Sequence, residues 1–192
     1  MGMFFLNPFI MNLNVSFFVF IVVSFYLDSS VAGYLVELDS VWRFSRTEQP
    51  DPMWTSISFI DSMWEDMIPI ADSIVSSSTT IYMRHVFEGM DDVDVFELHL
   101  SYSCGIIVYL NNERIYHDHL PSGIVLFNTS ATICEFKSIS LIQPGSLIHS
   151  GKMAIAVEHH YTSVMQWTLT NYSLWLSPLS TVDDLREGNE WI

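Results

Sequence analysis

The stretch GIIVYLNNERIY, residues 105–116, carries the strongest signal for the fold of this chain. Apolar residues run up to two consecutive asparagines, Asn111 and Asn112, and a mixture of charged and apolar residues follows at once. Asn tolerates positive φ better than other non-Gly residues, so two adjacent asparagines are typical of a two-residue type I′ turn. The stretch therefore predicts a β-hairpin.

Side-chain alternation predicts which residues of this hairpin are buried. Successive side chains on a strand point to opposite faces of the sheet. We expect Ile106, Val108 and Leu110 to face the core. We expect Ile107 and Tyr109 to meet the other face of the sheet or a covering loop.

Further short segments rich in Val, Ile, Tyr, Phe and Thr follow residue 80, separated by Gly, Pro, Asn or Asp. The segment VFELHLSYS places Phe96, Leu98 and Leu100 on one face and polar residues on the other. In MAIAVEHHY the small Ala154 and Ala156 share a face, which indicates a strand packed closely on both sides. No segment after residue 33 gives a convincing amphipathic helix. The pattern predicts an all-β protein, an antiparallel β-sandwich.

Four motifs, in order along the chain, resemble the pattern of extracellular galactose-binding-domain-like jelly-roll modules. The first motif is matched by Trp42, Pro52, Trp54, Asp61, Trp64 and Pro69. The second is matched by Thr80, Arg84 and Phe87. The third is matched by Gly105, Val108, Tyr109, Leu110, Asn111, Ile115, Leu120, Pro121 and Gly123. The fourth is matched by Leu147, Gly151, Ala154 or Ile155, Ala156, Val157, Glu158 and His160. The resemblance covers roughly residues 41 to 176 and implies a jelly-roll sandwich; it says less about function, because such modules accompany unrelated catalytic domains.

The chain departs from the family pattern at three places around the hairpin. Ser103-Cys104-Gly105 stands where the family has Asp-Asp-Gly, Asn112 replaces the turn Gly, and His117 replaces an Arg. A ligand or cation role of the Asp pair is therefore not implied for this chain. A bridge from Cys104 to Cys134 is the substitute that the sequence offers.

The charge of the chain excludes some partners. Seven Lys and Arg stand against 22 Asp and Glu, which gives a formal net charge of -15. Such a surface repels phosphate backbones, so we expect no nucleic-acid partner. A cationic partner, divalent ions and neutral sugars stay open, and so does a surface charge that only keeps the protein soluble.

Both ends of the chain differ from its middle. Residues 1–33 contain an apolar run, FFVFIVVSFYL, followed by small residues with signal-peptidase spacing, so they predict a secretory signal; an uncleaved anchor is the alternative. Residues 34–176 are the predicted sandwich domain. Residues 177–192 are the predicted acidic C-terminal tail. We expect a secreted, extracellular or cell-surface protein with no membrane span after cleavage.

An extracellular location would allow a disulfide between cysteines and glycosylation of asparagines. Cys104 and Cys134 are the only cysteines, which suggests one disulfide, with two separate buried thiols as the alternative. Asn128 and Asn171 begin glycosylation sequons and are expected on the surface.

Metal-binding patterns are weak. His117 and His119 at i and i+2 would point the same way on an extended chain, but the sequence places no third ligand. Asp91, Asp92 and Asp94 resemble a fragment of a calcium loop without the Gly and Glu of an EF-hand. We expect no cofactor other than, at most, a structural calcium at this cluster.

Aromatic side chains are the natural candidates for binding a sugar, because an aromatic face suits the apolar face of a pyranose. Core packing is the alternative for each Trp, and Trp54, in the loop DPMWTS, is the best candidate for an exposed platform. The tryptophans considered are Trp42, Trp54, Trp64, Trp167 and Trp175. The candidate ligand-binding residues are Trp54, Arg84, Tyr109, Asn111, His117 and His119.

The sequence contains none of the common catalytic motifs, so we expect a protein that is not an enzyme. Two functions compete. The first is a structural or assembly subunit of a coat, filament or matrix, either as a homo-oligomer or with an extracellular protein partner. The alternative is a lectin-like carbohydrate-binding module that uses loop aromatics.

Overall fold

The computed structural model describes residues 34–46, 50–69, 78–162 and 173–179. These residues form nine β-strands and one short 3₁₀ turn, Gly145–Leu147. The strands are β1 (Trp42–Ser45), β2 (Glu65–Met67), β3 (Thr80–Gly89), β4 (Val95–Ser103), β5 (Gly105–Leu110), β6 (Glu113–Asp118), β7 (Phe136–Pro144), β8 (Gly151–His160) and β9 (Ser173–Leu179).

The strands form two antiparallel sheets. The larger sheet has the order β2-β1-β3-β8-β5-β6, and the smaller one has the order β7-β4-β9. Apolar side chains from both sheets belong to one core cluster. The predicted all-β antiparallel sandwich is confirmed.

The hairpin between β5 and β6 has the predicted two-residue turn. Leu110 pairs with Glu113, and the two asparagines between them have φ angles of 45° and 73°. Positive φ at both central positions is the signature of a type I′ turn. A bulge follows, because Val108 pairs with Tyr116 while its neighbour Tyr109 pairs with Arg114. The bulge therefore leaves one extra residue on β6.

The core alternates along the strands as expected. On β4 every second residue is buried, and Phe96, Leu98 and Leu100 are at most 1% exposed. The central strand β8 is buried on both faces: its larger side chains join the sandwich core, while Ala156 joins a second cluster on the outer face of the larger sheet. The larger sheet therefore needs a cover on its outer face.

The ends of the domain differ in part from the prediction. Strand β9 continues to Leu179. The sandwich therefore extends past its predicted end at residue 176, into residues that were predicted to belong to the tail. The predicted signal, residues 1–33, and residues 180–192 lie outside the described residues. The described part of the chain holds no helix with the length and apolarity that crossing a membrane requires.

The predicted disulfide between Cys104 and Cys134 is present. Cys104 is the single residue between β4 of the smaller sheet and β5 of the larger sheet, and its φ of 69° is unusual for a residue with a side chain. The next residue, Gly105, has no room for a Cβ, which would lie 2.6 Å from Cδ2 of Leu120. The disulfide therefore fixes the point at which the chain changes sheets.

We predict that the double variant Cys104→Ala/Cys134→Ala lowers the free energy of unfolding by about 3–4 kcal/mol, because the bridge closes a 30-residue loop. Urea denaturation followed by tryptophan fluorescence measures this loss. Reductant should bring the wild-type protein to the stability of the variant and leave the variant unchanged. Equal stability of oxidised and reduced wild-type protein would contradict the prediction.

Candidate functional site

Residues 50–64 form a loop, called here the covering loop, over the outer face of the larger sheet. Its Trp54 lies edge-on against Tyr82 of β3 and Tyr109 of β5, with ring centroids 5.1 and 5.8 Å away. The small side chain of Ala156 lies in the same cluster. Trp54 is only 7% exposed, so its prediction as an exposed platform is wrong. The loop packs on the sheet because the side chains of Tyr82, Tyr109 and Ala156 would otherwise be exposed to solvent.

Arg84 anchors the covering loop to β3. Its guanidinium forms an ion pair with Asp61, donates to the carbonyl oxygen of Ser56 at 2.8 Å, and lies 6.0 Å from the ring centroid of Phe59. Its side chain is 1% exposed. A buried guanidinium requires such partners, because an unpaired charge in this position is strongly destabilising. The residue predicted to bind a ligand thus binds the loop.

Tyr109 takes part in a buried polar network on the same face. Its hydroxyl donates to Oε2 of Glu158 at 3.4 Å, and burial together with that carboxylate raises the pKa of Tyr109 to about 12. Oε1 of Glu158 lies 2.9 Å from Nε2 of His160, whose Nδ1 lies 2.7 Å from the carbonyl oxygen of Thr129. Both ring nitrogens of His160 therefore have hydrogen-bond partners. His160 therefore forms buried hydrogen bonds with Glu158 and Thr129.

Asn111 uses its side chain locally. Its Oδ1 accepts a hydrogen bond from the backbone nitrogen of Ala154 at 2.8 Å, and its Nδ2 lies 3.2 Å from Nε2 of His149. The neighbouring Asn112 accepts from the hydroxyl of Thr55 in the covering loop at 2.6 Å. The turn residues therefore hold the hairpin to β8 and to the covering loop.

The two histidines beside the hairpin do not form a pair. Strand β6 ends at Asp118, and His119 has a φ of 53°, which breaks the alternation that the prediction assumed. The imidazole Nδ1 of His119 lies 3.2 Å from the carbonyl oxygen of Cys104. His117 instead sits opposite Ile107 on β5. The extended chain on which the predicted arrangement of the two histidines depended is therefore not present.

Asp118 is the centre of a polar cluster that joins the two sheets. It accepts hydrogen bonds from Tyr102 of β4, from Tyr116 of β6 at 3.3 Å and from Nζ of Lys137 of β7 at 2.7 Å. Burial alone would raise the pKa of Asp118, but the hydrogen bonds from Lys137 and Tyr102 outweigh it and hold the pKa well below its usual range. Burial and the same carboxylate raise the pKa of Tyr102. The cluster lies next to the disulfide, and its hydrogen bonds connect the smaller sheet to the larger sheet.

Asp91, in the aspartate cluster before β4, makes a side-chain hydrogen bond. Oδ1 of Asp91 accepts from the backbone nitrogen of Ser150 at 3.1 Å, and Asp92 has a φ of 60°. Within the ranges that the structure describes, no three His, Cys, Asp or Glu side chains are arranged to hold a metal ion. A structural calcium at Asp91, Asp92 and Asp94 stays a prediction.

The first predicted sequon is accessible. Asn128 is exposed on the loop whose Phe127 stacks on Tyr82, with ring centroids 6.2 Å apart. Asn171 lies outside the described residues. Exposure is what glycosylation at Asn128 requires, and its occurrence stays a prediction.

A cavity of about 330 Å³ opens beside Trp175, at the outer face of the smaller sheet. It is called here the Trp175 cavity, and its lining residues are Tyr34, Glu37, Leu38, Asp39 and Trp175. Trp175 points outward because its neighbours on β9, Leu174 and Leu176, are buried in the core. The four other lining residues are exposed. The surface of the cavity is mainly apolar, although Glu37 and Asp39 are among its lining residues.

Backbone pairing builds one wall of the Trp175 cavity. The nitrogen of Leu35 donates to the carbonyl oxygen of Leu176 at 2.9 Å, and the nitrogen of Leu176 donates to the carbonyl oxygen of Val36 at 3.2 Å. Val36 is 1% exposed and packs in the core. This short segment therefore extends the smaller sheet beyond β9 and places Glu37 next to Trp175.

The other side of Trp175 is held by a histidine. The imidazole of His99 on β4 stacks on the indole with ring centroids 4.3 Å apart and planes within 11°. Nε2 of His99 lies 2.8 Å from Glu97, and its Nδ1 lies 3.0 Å from the hydroxyl of Ser140. These contacts set the orientation of the His99 imidazole, and stacking on that imidazole sets the orientation of the Trp175 indole. The ring of Trp175 is therefore oriented before any ligand arrives.

Sequence reasoning included Trp175 among five tryptophans but missed the rest of its cavity. Glu37 and Asp39 occur in no motif, and their place beside β9 depends on pairing between the two ends of the domain. No local signal in the sequence reports that pairing.

The fold is similar to part of two solved structures. A calcium-binding mutant of β-glucuronidase 2 from Bacteroides uniformis has a TM-score of 0.50 and 10% identity, over 76% of this chain and 18% of that chain. A β-glucuronidase from Bacteroides uniformis has a TM-score of 0.50 and 12% identity, over 77% of this chain and 18% of that chain. The chain thus spans about a fifth of the length of each. No protein-family model matches the chain, and no curated protein matches it by sequence.

We predict that Asp118→Asn lowers the free energy of unfolding at pH 7 by about 1–3 kcal/mol, because it removes a charged acceptor shared by three donors. The pKa of Asp118 is depressed in the folded state, so its contribution is present above the ordinary Asp pKa of about 4 and declines as pH falls below it. The difference between wild type and variant should therefore be largest near neutral pH and shrink below about pH 4. Urea midpoints measured from pH 7 to pH 3 test this, and a difference that does not change with pH would refute it.

Proposed function

We propose that this chain is a secreted, non-catalytic β-sandwich module that binds a glycan at the Trp175 cavity. The observation that carries the proposal is the cavity itself, in which an oriented indole forms part of a mainly apolar surface around about 330 Å³. That volume lies at the lower end of the range for small-molecule sites, which suits one sugar ring or the end of a chain. The disulfide supports an oxidising, extracellular compartment.

The chemistry of the lining residues fits a saccharide. The C–H face of a pyranose packs on the exposed side of Trp175, whose other side rests on His99. The carboxylates of Glu37 and Asp39 accept hydrogen bonds from sugar hydroxyls. The wall formed by Leu38 adds apolar contact. The platform predicted at Trp54 is thus replaced by one on the opposite side of the sandwich.

Hydrolysis is not part of the proposal. The two similar structures are β-glucuronidases, but this chain spans only about 18% of either. Glycoside hydrolysis needs a carboxylic acid kept protonated by a dry environment. Glu37 and Asp39 are both exposed, so neither has such an environment.

One observation favours a second candidate, the predicted assembly role. The covering loop exposes large apolar side chains, with Ile60 80% and Met63 92% exposed. Residues 52–60 carry no charge, and Asp61 is paired with Arg84. Two copies could therefore meet through this loop without repulsion, despite the net charge of -15. A second copy of the chain is the partner that we propose for this surface.

For glycan binding, we predict that Trp175→Ala weakens the affinity about 30-fold, since removing a central Trp from a binding site commonly costs about 2 kcal/mol or more. A glycan array identifies the ligand, and titration calorimetry measures its affinity. Phe136→Ala is the matched control, because Phe136 is an exposed aromatic residue of the same sheet away from the cavity. Failure of the wild-type protein to bind any glycan would end the proposal.

For assembly, we predict that wild-type protein gains mass with concentration in light scattering and that Ile60→Ser/Met63→Ser stays monomeric. The control is Ile124→Ser/Leu126→Ser, which removes two exposed apolar residues from a different loop and should leave the mass unchanged. A monomeric wild-type protein at all concentrations would reject this second candidate.

A further inference from the structure

We infer that the Trp175 cavity selects a 6-deoxyhexose, a sugar with a methyl group where the common hexoses carry a hydroxymethyl group. This inference rests on the proposed glycan-binding function and names the class of its ligand. Its basis is the mainly apolar surface of the cavity, whose lining includes Tyr34, Leu38 and Trp175.

Leu38 and Tyr34 give the cavity an apolar wall that is in contact with solvent. Leu38 is 41% exposed and Tyr34 is 59% exposed. The pairing of Val36 with Leu176 holds the segment between them beside β9. Large apolar side chains around a concave surface are typical of a ligand site, because a bound ligand removes them from water. A ligand that fits this site therefore presents an apolar group to the wall.

Stacking on Trp175 defines the plane of a bound sugar ring but not the identity of the sugar. Many pyranoses have a C–H face that packs on an indole. Because His99 sets the orientation of the indole, a stacked ring has a defined plane, and its edges meet the remaining lining residues. Selectivity among hexoses therefore depends on the group that the ring edge presents to Leu38.

A 6-deoxyhexose presents a group that suits this wall. Its C6 methyl group is contiguous with the C–H face of the ring, so one apolar surface contacts both the indole and Leu38. The corresponding hexose carries a hydroxyl at C6, which loses hydrogen bonds to water when it is placed on an apolar surface. Glu37 and Asp39 can accept hydrogen bonds from the other hydroxyls of either sugar. We expect the loss at C6 to weaken binding of the hexose about tenfold.

The test is a calorimetric titration of the purified protein with matched pairs of methyl hexosides. Each pair consists of a hexoside and its 6-deoxy counterpart, in the gluco, galacto and manno configurations and in the D and L series. In every pair that binds, we expect the 6-deoxy member to bind about tenfold more tightly. Both members of a pair are uncharged, so charged groups near the cavity act on them alike and the preference should not change with salt.

Two variants with the same kind of change locate the preference. Leu38→Asn replaces the apolar wall by an amide of similar size that can pair with the C6 hydroxyl, so the preference for the 6-deoxy member should fall to about twofold or less. Val41→Asn is the control, because Val41 is 53% exposed and is not among the residues that line the cavity. It should leave the tenfold preference unchanged.

The outcomes separate this inference from the function on which it rests. Equal affinity for the two members of each pair, or tighter binding of the hexoside, would overturn the inference and leave glycan binding intact. A preference that survives Leu38→Asn would also overturn it, because the selectivity would then arise away from the apolar wall. Binding of none of the hexosides, together with a blank glycan array, would remove the proposed function as well.

Discussion

The central strands β8 and β5 of the larger sheet are buried on both faces, and much of the structure follows from that constraint. One face packs against the smaller sheet, but the outer face carries tyrosines and an alanine that need a cover of their own. The covering loop supplies it, and the ion pair between Arg84 and Asp61 holds the loop in place. A charged side chain in the middle of a buried strand is costly unless paired, so it ties the position of the loop to the stability of the sheet.

A second group of contacts holds the sandwich together at the edge formed by β6. The disulfide fixes the residue at which the chain passes from one sheet to the other, and the Asp118 cluster joins side chains from both sheets beside it. The polar cluster and the disulfide therefore stabilise the same connection between the two sheets. The Trp175 cavity draws on neither of them, since its walls come from β9 and from the segment before β1.

The sequence predicted the features that depend on neighbouring residues. The Asn111-Asn112 turn, the alternation on β4 and β8 and the sandwich class all follow from periodicity and turn chemistry, and all are present. The disulfide followed from counting cysteines in an expected oxidising compartment. By contrast, the exposure of Trp54 was misjudged, because a loop sequence does not show which sheet face it covers. The extended conformation expected for His119 was wrong, because this residue lies beyond the end of β6 and has a positive φ. The Trp175 cavity depends on residues far apart in the chain and had no local signature.

The pairing of Val36 with Leu176 has a consequence for how the Trp175 cavity forms. The two residues stand near opposite ends of the domain, so their contact closes almost the longest loop the fold contains. Contacts between distant residues tend to form slowly, because the entropy of closing the intervening chain is lost before the contact is gained. Since the acidic wall of the cavity exists only after this pairing, nascent or partly folded chains would lack the site. Ligand affinity would then report complete folding from end to end.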